Sequence, residues 1–178
     1  ARIINSYGPT ECTDVVSAHE LSDFTQNAVI PIGKPVCNTQ LWVVNQDLQP
    51  LPVGLPGEIC VTGTGVGFGY LNRDDLTAEV FVANPFGEGR LYKTGDLGRY
   101  LADGSIEYIG RKDFQVKIRG LRIELGEIEA AMKALPAVVD ALAMAVDDTL
   151  VGSLVTPDGN LPSGWRDVLR KSLPEYMV

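Results

Sequence analysis

The chain has 178 residues, 45% of them hydrophobic and 21% charged, the balance of a soluble globular protein. Its 15 basic and 23 acidic residues leave a net charge of −8 with no basic tract, which argues against a nucleic-acid partner. No run approaches the ~20 apolar residues of a membrane span, no charged-then-apolar leader opens the chain, and one histidine, His19, leaves little room for a His-based triad or zinc site.

Cys12, Cys37 and Cys60 are odd in number, widely spaced and without a metal-ligand pattern, so they read as buried thiols in a reducing compartment. Along the chain, Ala1–Ile4 is an apolar lead into Asn5-Ser6-Tyr7-Gly8-Pro9-Thr10-Glu11, where Gly-Pro signals a turn. As a plain surface turn this stretch needs no function. As a site it presents a ring for stacking on a base, a hydroxyl for a phosphate oxygen and a carboxylate for Mg²⁺, which takes hard oxygen ligands. The β-branched pair Val15-Val16 predicts a strand within Thr13–Leu21. Ser22–Val29 reads as a loop, Pro31–Pro35 as a turn, and Gln40–Asn45 as a strand. Gln46–Pro56 carries three prolines and a glycine and is a connection.

Gly57–Tyr70, GEICVTGTGVGFGY, tempts a dinucleotide reading. Gly65-x-Gly67-x-Gly69 has the wrong spacing for GxGxxG, and no helix opens on it. The preferred reading is a loop whose glycines let backbone pass close to other elements. Leu71–Phe81 predicts a short helix with Leu76, Val80 and Phe81 on one side. Asp103-Gly104 predicts a tight turn between strands Leu97–Leu101 and Ser105–Ile109. Asp96, after Thr94-Gly95, is placed in a turn, where its carboxylate either caps a backbone group or accepts both hydroxyls of a ribose.

Tyr108–Glu129, YIGRKDFQVKIRGLRIELGEIE, reads as a joint between two bodies. Phe114, Val116 and Ile118 alternate with Gln115, Lys117 and Arg119, Gly120 breaks the run, and Leu121, Ile123 and Leu125 resume it, which predicts a hairpin. A helix follows, with Ile128, Ala131, Met132 and Leu135 on one face, Glu127 and Glu129 in its first turn and Pro136 after it. Val138–Val146 and Leu150–Thr156 predict strands, and Pro157–Asn160 a turn. Ser163 is expected to cap a helix through Leu173, with Trp165, Val168 and Leu169 facing inward. The ~66 residues from Asp113 onward are few for a free-standing core.

Asn5–Glu11, Gly57–Phe81, Tyr92–Tyr100 and Gly110–Glu129, followed by the terminal LPEYMV, resemble in this order the adenylate-forming superfamily. The best match is to the amino-acid-activating adenylation domains of nonribosomal peptide synthetases, over essentially the whole chain. The resemblance implies a mixed α/β (α+β) fragment of the adenylate-forming-enzyme fold. Residues 1–112 are expected to be the strand-rich, barrel-like C-terminal part of the large subdomain, exposing an apolar face. Residues 113–178 are expected to form a small α+β C-terminal subdomain.

The roles it implies are specific. Tyr7 is the ring that stacks on adenine, with Asn5 at its edge and Gly8 in the same nucleotide-binding turn. Thr10 is the phosphate contact and Glu11 the Mg²⁺ ligand, the two residues expected to act in catalysis. Asp96 binds the ribose hydroxyls, Tyr108 lines the nucleotide, and Arg111 contacts ribose or phosphate. Asp113 is the hinge, and Phe114–Arg122 the hairpin that approaches the carrier-protein thiol arm. Ser6, Asp14 and Val15 line the amino-acid pocket. Asp14 there suggests a hydrogen-bonding or cationic substrate side chain, because a buried carboxylate needs a partner.

The implied cofactors are ATP/AMP and Mg²⁺, with phosphopantetheine supplied by a peptidyl carrier protein. The other implied partners are an amino-acid substrate, the N-terminal part of the same domain and a small MbtH-like helper protein, in the cytoplasm, with no nucleic acid and no membrane. The family's phosphate loop and catalytic lysine fall outside the matched motifs, and neither Lys117 nor Lys171 takes the lysine's place. The 178 residues alone are therefore expected not to form adenylate at a useful rate. The competing readings are an aryl- or fatty-acyl-CoA ligase of the same superfamily, separable by an acceptor test, and a non-catalytic interaction module, against which Glu11 and Asp96 argue.

Overall fold

A computed structural model describes residues 2–21, 29–112, 115–118, 120–147 and 149–178. The chain divides into two compact units, Ala1–Lys112 and Asp113–Val178. Asp113, expected as the hinge, Phe114 and Arg119 of the expected hairpin, and residues 22–28 of the loop expected over Ser22–Val29 all lie outside the described residues.

Unit 1 is built on strands. β1 (Ile3–Tyr7) pairs antiparallel with β2 (Ser17–Leu21), and β2 with the two-residue β3 (Lys34–Pro35). Asn5, Ser6 and Tyr7 are thus strand residues, and the turn expected there begins only at Gly8. The strand expected over Thr13–Leu21 starts four residues late, because Thr13 and Asp14 both adopt left-handed backbone (φ 62° and 72°). Pro31–Pro35 is not a simple turn. Ile32 N–H donates to the Ile106 carbonyl at 2.8 Å, and Ile106 N–H to the Gly33 carbonyl at 2.9 Å, which stitches this segment to the larger sheet.

The larger sheet contains β4 (Thr39–Val44), β5 (Gly57–Gly63), β6 (Phe81–Ala83), β7 (Arg90–Tyr100) and β8 (Ile106–Arg111). Its order is β4-β5-β7-β6, with β8 also paired to β7. The first half of the glycine-rich stretch is therefore an inner strand and not a loop. Gly57 through Thr62 are all buried, as a near-continuous apolar run predicts for a strand covered on both faces. The loop reading holds for its second half. Gly67 N–H donates to the Glu11 carbonyl at 2.8 Å, and side chains at Gly65 and Gly67 would meet the Cys12 and Glu11 carbonyls at 2.9 and 3.0 Å. α1 (Asp74–Val80) is shorter than expected, and Phe81 turns out of it into β6. The core holds Val16, Leu41, Val43, Ile59, Val61, Tyr92 and Ile106. Cys12 and Cys60 are buried, but Cys37 sits exposed in the turn before β4, contrary to the expectation of three buried thiols. Ile3, Ile4, Val15, Val29, Phe68 and Leu71 are exposed apolar residues of this unit.

Unit 2 follows its expected order. β9 (Gln115–Ile118) and β10 (Leu121–Glu124) form the hairpin, turning at Gly120 with φ 82°. α2 (Leu125–Lys133) buries Leu125, Ile128 and Met132 against a second antiparallel pair, β11 (Asp140–Val146) and β12 (Thr149–Val155). Glu129 accepts the Ala143 N–H at 3.0 Å, tying α2 to β11. The last helix, α3 (Trp165–Leu169), is only five residues long. Gly164, not Ser163, occupies its N-cap, and no side chain caps it. Leu169 and Leu173 face the core and Trp165 packs against it, while Val168 is 41% exposed, against the inward placement expected.

Candidate functional site

The site in unit 1 grows out of an irregularity in β7. Glu58 lies opposite Leu97, but Cys60 lies opposite Lys93, so Thr94, Gly95 and Asp96 together face Ile59 alone. Such a bulge bends a strand and re-aims its side chains. Gly95 adopts φ 74°, a left-handed conformation that costs a side-chain-bearing residue energy. Asp96 is therefore a strand residue displaced from regular pairing with β5, not a turn residue.

The polar groups freed by the bulge are taken up locally. The Thr94 hydroxyl donates to the Ile59 carbonyl at 2.6 Å and accepts the Asp96 N–H at 3.0 Å. Gly95 N–H donates to the Glu58 carboxylate at 3.1 Å, and the Gly95 carbonyl accepts the Lys112 N–H at 2.8 Å. The Arg111 guanidinium donates to the Thr94 carbonyl at 3.0 Å. Satisfying these groups is what lets the bulge sit inside the unit, since a buried polar group without a partner is costly.

Asp96 is 7% exposed. Its Oδ1 accepts Arg111 Nη1 at 2.9 Å, and its Oδ2 accepts the Tyr7 hydroxyl. Burial and the neighbouring Asp96 charge push the Tyr7 phenol well above its ordinary value, so it stays protonated as a donor. The Tyr108 ring lies 6.3 Å from that of Tyr7, inclined at 41°. Four of the predicted residues, Tyr7, Asp96, Tyr108 and Arg111, are thus brought together. Asn5, on the same face of β1 as Tyr7, donates from its side-chain amide to the Pro31 carbonyl at 2.7 Å.

A second cluster lies in the turn after β1. Thr10, exposed, opens a short 3-10 turn over Thr10–Cys12 that Thr13 closes with left-handed backbone. Glu11 accepts the Tyr70 hydroxyl at 2.6 Å, and the Thr13 hydroxyl donates to the Gly65 carbonyl at 2.8 Å. Gly8 is fixed by contact, since a Cβ there would stand 1.4 Å from the Asp14 carbonyl oxygen. Ser6, Asp14 and Val15 are exposed, and Ser6 projects from the face of β1 opposite Asn5 and Tyr7. The burial that made Asp14 informative about a substrate is not met.

Glu58, Thr94, Tyr70 and Lys112 were not singled out from the sequence. Glu58 alone left a usable signal there, a charge beside the apolar run Ile59-Cys60-Val61. The bulge that recruits Thr94 and Lys112 depends on pairing between distant strands.

The AMP-binding enzyme family matches residues 1–71. Gramicidin S synthase 2 of Brevibacillus brevis is 52% identical over 99% of this chain, which spans 4% of that protein. Tyrocidine synthase 1 of Brevibacillus parabrevis is 46% identical over 99% of this chain, which spans 17% of it. Among solved structures, an artificially fused adenylation–PCP di-domain nonribosomal peptide synthetase, NpsA-ThdA from Klebsiella oxytoca, superposes with a TM-score of 0.79 at 31% identity, over the whole of this chain and 35% of that one. With motif order, fold and whole-chain identity in agreement, the chain belongs to the AMP-binding, adenylate-forming enzymes, among the adenylation domains of nonribosomal peptide synthetases.

Proposed function

We propose that this chain supplies part of the nucleotide site of a cytoplasmic adenylation domain. That domain activates an amino acid with ATP and passes it to the phosphopantetheine thiol of a peptidyl carrier protein, with a small MbtH-like protein as helper. Residues 1–112 are the C-terminal part of the large subdomain and residues 113–178 belong to the small one, with Asp113 as the hinge. The observation that carries the reading is the bulge-built cluster of Tyr7, Asp96 and Arg111. An ionised carboxylate has about four lone-pair positions. Tyr7 and Arg111 use two, which leaves capacity for two ribose hydroxyls.

Tyr7 and Tyr108 are the aromatic residues that meet adenine, with Asn5 at its edge and Gly8 bringing backbone close. Thr10 and Arg111 contact phosphate or ribose oxygens. Ser6, on the opposite face of β1, and Asp14 and Val15, beyond the turn, line the acid's pocket. The single carboxylate of Glu11 suits Mg²⁺, which is commonly held by one or two carboxylates plus substrate phosphates. Among the described residues no group of three or more His, Cys, Asp or Glu side chains converges, so Glu11 would hold the ion jointly with the nucleotide. Bound there, the ion would neutralise phosphate charge.

In the first half-reaction the substrate carboxylate attacks the α-phosphate, releasing pyrophosphate and leaving an acyl adenylate. In the second, the thiol attacks the acyl carbon and AMP departs. Neither step needs a side-chain nucleophile, and positioning and charge stabilisation carry both. Whole-chain identity to peptide synthetases favours an amino acid over an aryl or fatty acid.

The test is pyrophosphate exchange by the complete domain, with and without a helper protein, across amino acids, aryl acids and fatty acids. Exchange with one amino acid and transfer to a carrier protein is the expected result. Exchange only with an aryl or fatty acid and transfer to coenzyme A would replace the reading, and silence from a folded domain across the panel would remove it. The 178 residues alone are expected to give no exchange.

A further inference from the structure

Glu58 has no place in the reaction above, yet it is a carboxylate only 9% exposed on an inner strand. We infer that Glu58 is a positioning residue of the nucleotide site, holding Asp96 in register through the backbone of Gly95. The inference rests on the reading of Asp96 as a nucleotide contact.

The geometry is a closed loop of contacts. Glu58 Oε1 accepts the Gly95 N–H at 3.1 Å. The Gly95 carbonyl accepts the Lys112 N–H at 2.8 Å, and Lys112 Nζ returns to Glu58 Oε2 at 3.4 Å. One side chain therefore grips both the crown of the bulge and the last residue of unit 1. Asp96 follows Gly95 directly, and Arg111, its ion-pair partner, precedes Lys112. Both members of the pair are thus one peptide bond from a residue that Glu58 holds. Opposite β7, Glu58 is the last residue in register before the shift, so its carboxylate lies beside the peptides the bulge displaces.

Burying a carboxylate is unfavourable unless it meets fixed donors. Here the Gly95 N–H has lost its ladder partner and is the donor that needs the charge. A hydrophobic residue at position 58 would fill the same volume and leave that N–H without its acceptor. Of the two contacts, the one to Gly95 matters more, because Lys112 is half exposed and its ammonium stands at the longer distance.

The experiment compares E58A, E58Q and K112M in the complete adenylation domain. Amide hydrogen exchange at Gly95 and Asp96 is read without nucleotide, AMP affinity by calorimetry, and the KM values for ATP and for the acid by pyrophosphate exchange. Losing a hydrogen bond to a charged acceptor corresponds to about a tenfold effect. E58A should speed exchange at Gly95 and weaken AMP by about that factor, raise KM for ATP to match, and leave the acid's KM within about twofold. E58Q keeps an acceptor for Gly95 and should recover most of the loss, and K112M should fall closer to the parent than E58A does.

Unchanged exchange at Gly95 in folded E58A would overturn the inference. So would faster exchange with AMP affinity intact, or KM values for ATP and acid that rise together and resist rescue by E58Q. Should the parent domain bind no AMP, the functional reading fails, and the exchange arm still decides whether Glu58 holds the bulge.

Discussion

The two units bury different chemistry. Unit 1 buries Ser17, Glu58, Thr62, Thr94, Asp96 and Ser105, whereas among the described residues of unit 2 the buried polar side chain is Gln115. In unit 1 each such group has a fixed partner. The Ser17 hydroxyl donates to the Ile32 carbonyl at 2.8 Å, and Thr62 accepts the Trp42 indole N–H at 3.1 Å. Ser105 donates to Asp103 at 2.6 Å, and the others serve the bulge. Unit 2 is instead closed by Ile123, Leu125, Ile128, Met132, Leu135, Leu169 and Leu173. Buried polar groups add little net stability but fix direction, so unit 1 has the composition of a site and unit 2 that of a packed body.

The contrast breaks most readily at Asp96. D96A removes the carboxylate proposed to accept two ribose hydroxyls, the same group to which Tyr7 and Arg111 donate. In the complete domain it should weaken AMP by roughly 100- to 20,000-fold, at about 1.5–3 kcal/mol for each of the two charged hydrogen bonds. D96N, which keeps the shape, should lose less. Calorimetric titration with AMP checks both, and a D96A domain that binds AMP like its parent would sever this cluster from the nucleotide.

The counterpart in unit 2 is Ile123, 1% exposed. I123A should cost roughly 2–5 kcal/mol of stability through lost burial and the cavity left behind, with AMP affinity within about twofold. Each unit carries one tryptophan, Trp42 stacked on Phe86 at 3.9 Å and Trp165 against the unit 2 core. Urea titrations of the W42F and W165F backgrounds would therefore assign the loss to its unit. Equal losses at both reporters would show that the units unfold as one body.

Alkaline pH offers a milder test, since all three cysteines lie in unit 1. Burial pushes the Cys12 and Cys60 thiols from 9.0 up to about 12 in the folded chain, and it raises Tyr7 and Tyr100 as well. A raised folded value means that the stabilisation is fully present below pH 9.0 and is lost as pH climbs toward about 12. By pH 10 the Trp42 signal should report a loss on the order of 1 kcal/mol per thiol, and C60A should flatten the profile by one such share. The Trp165 signal should hold over the same range.

Legibility in the sequence divided along the same line. In unit 2 the hairpin, α2 and the β11–β12 pair were readable because period-two and period-3.6 patterns there are local and apolar. The exception was α3, where Ser163 looked like a cap but the left-handed Gly164 took the position. In unit 1, β5 was obscured by its glycines, and Asn5-Ser6-Tyr7 was read as a turn because strand pairing with Ser17, Ala18 and His19 is not written locally. Tyr7 and Asp96 were legible as open alternatives from residue type, and Tyr108 and Arg111 only from motif resemblance, which supplies residues without geometry. Glu58 belongs to no chemistry the motifs describe, and only the register shift opposite it makes it visible.

The finest discrimination comes from two glycines of nearly equal conformation. Gly95 in the bulge has φ 74°, and Gly120 in the hairpin turn has φ 82°. A Cβ at Gly120 would meet nothing within 4 Å, so G120A pays only the left-handed backbone term, roughly 1–2 kcal/mol. G95A carries the same backbone term, but relaxing it moves the peptide whose N–H meets Glu58 and whose successor is Asp96. The two variants should therefore lose similar stability in urea, each at its own tryptophan, while AMP affinity drops severalfold in G95A and stays at the parental value in G120A. Equal AMP affinities in the pair would mean that the bulge tolerates relaxation without moving Asp96, and that the site is held by the Tyr7 and Arg111 side chains more than by the backbone beneath them.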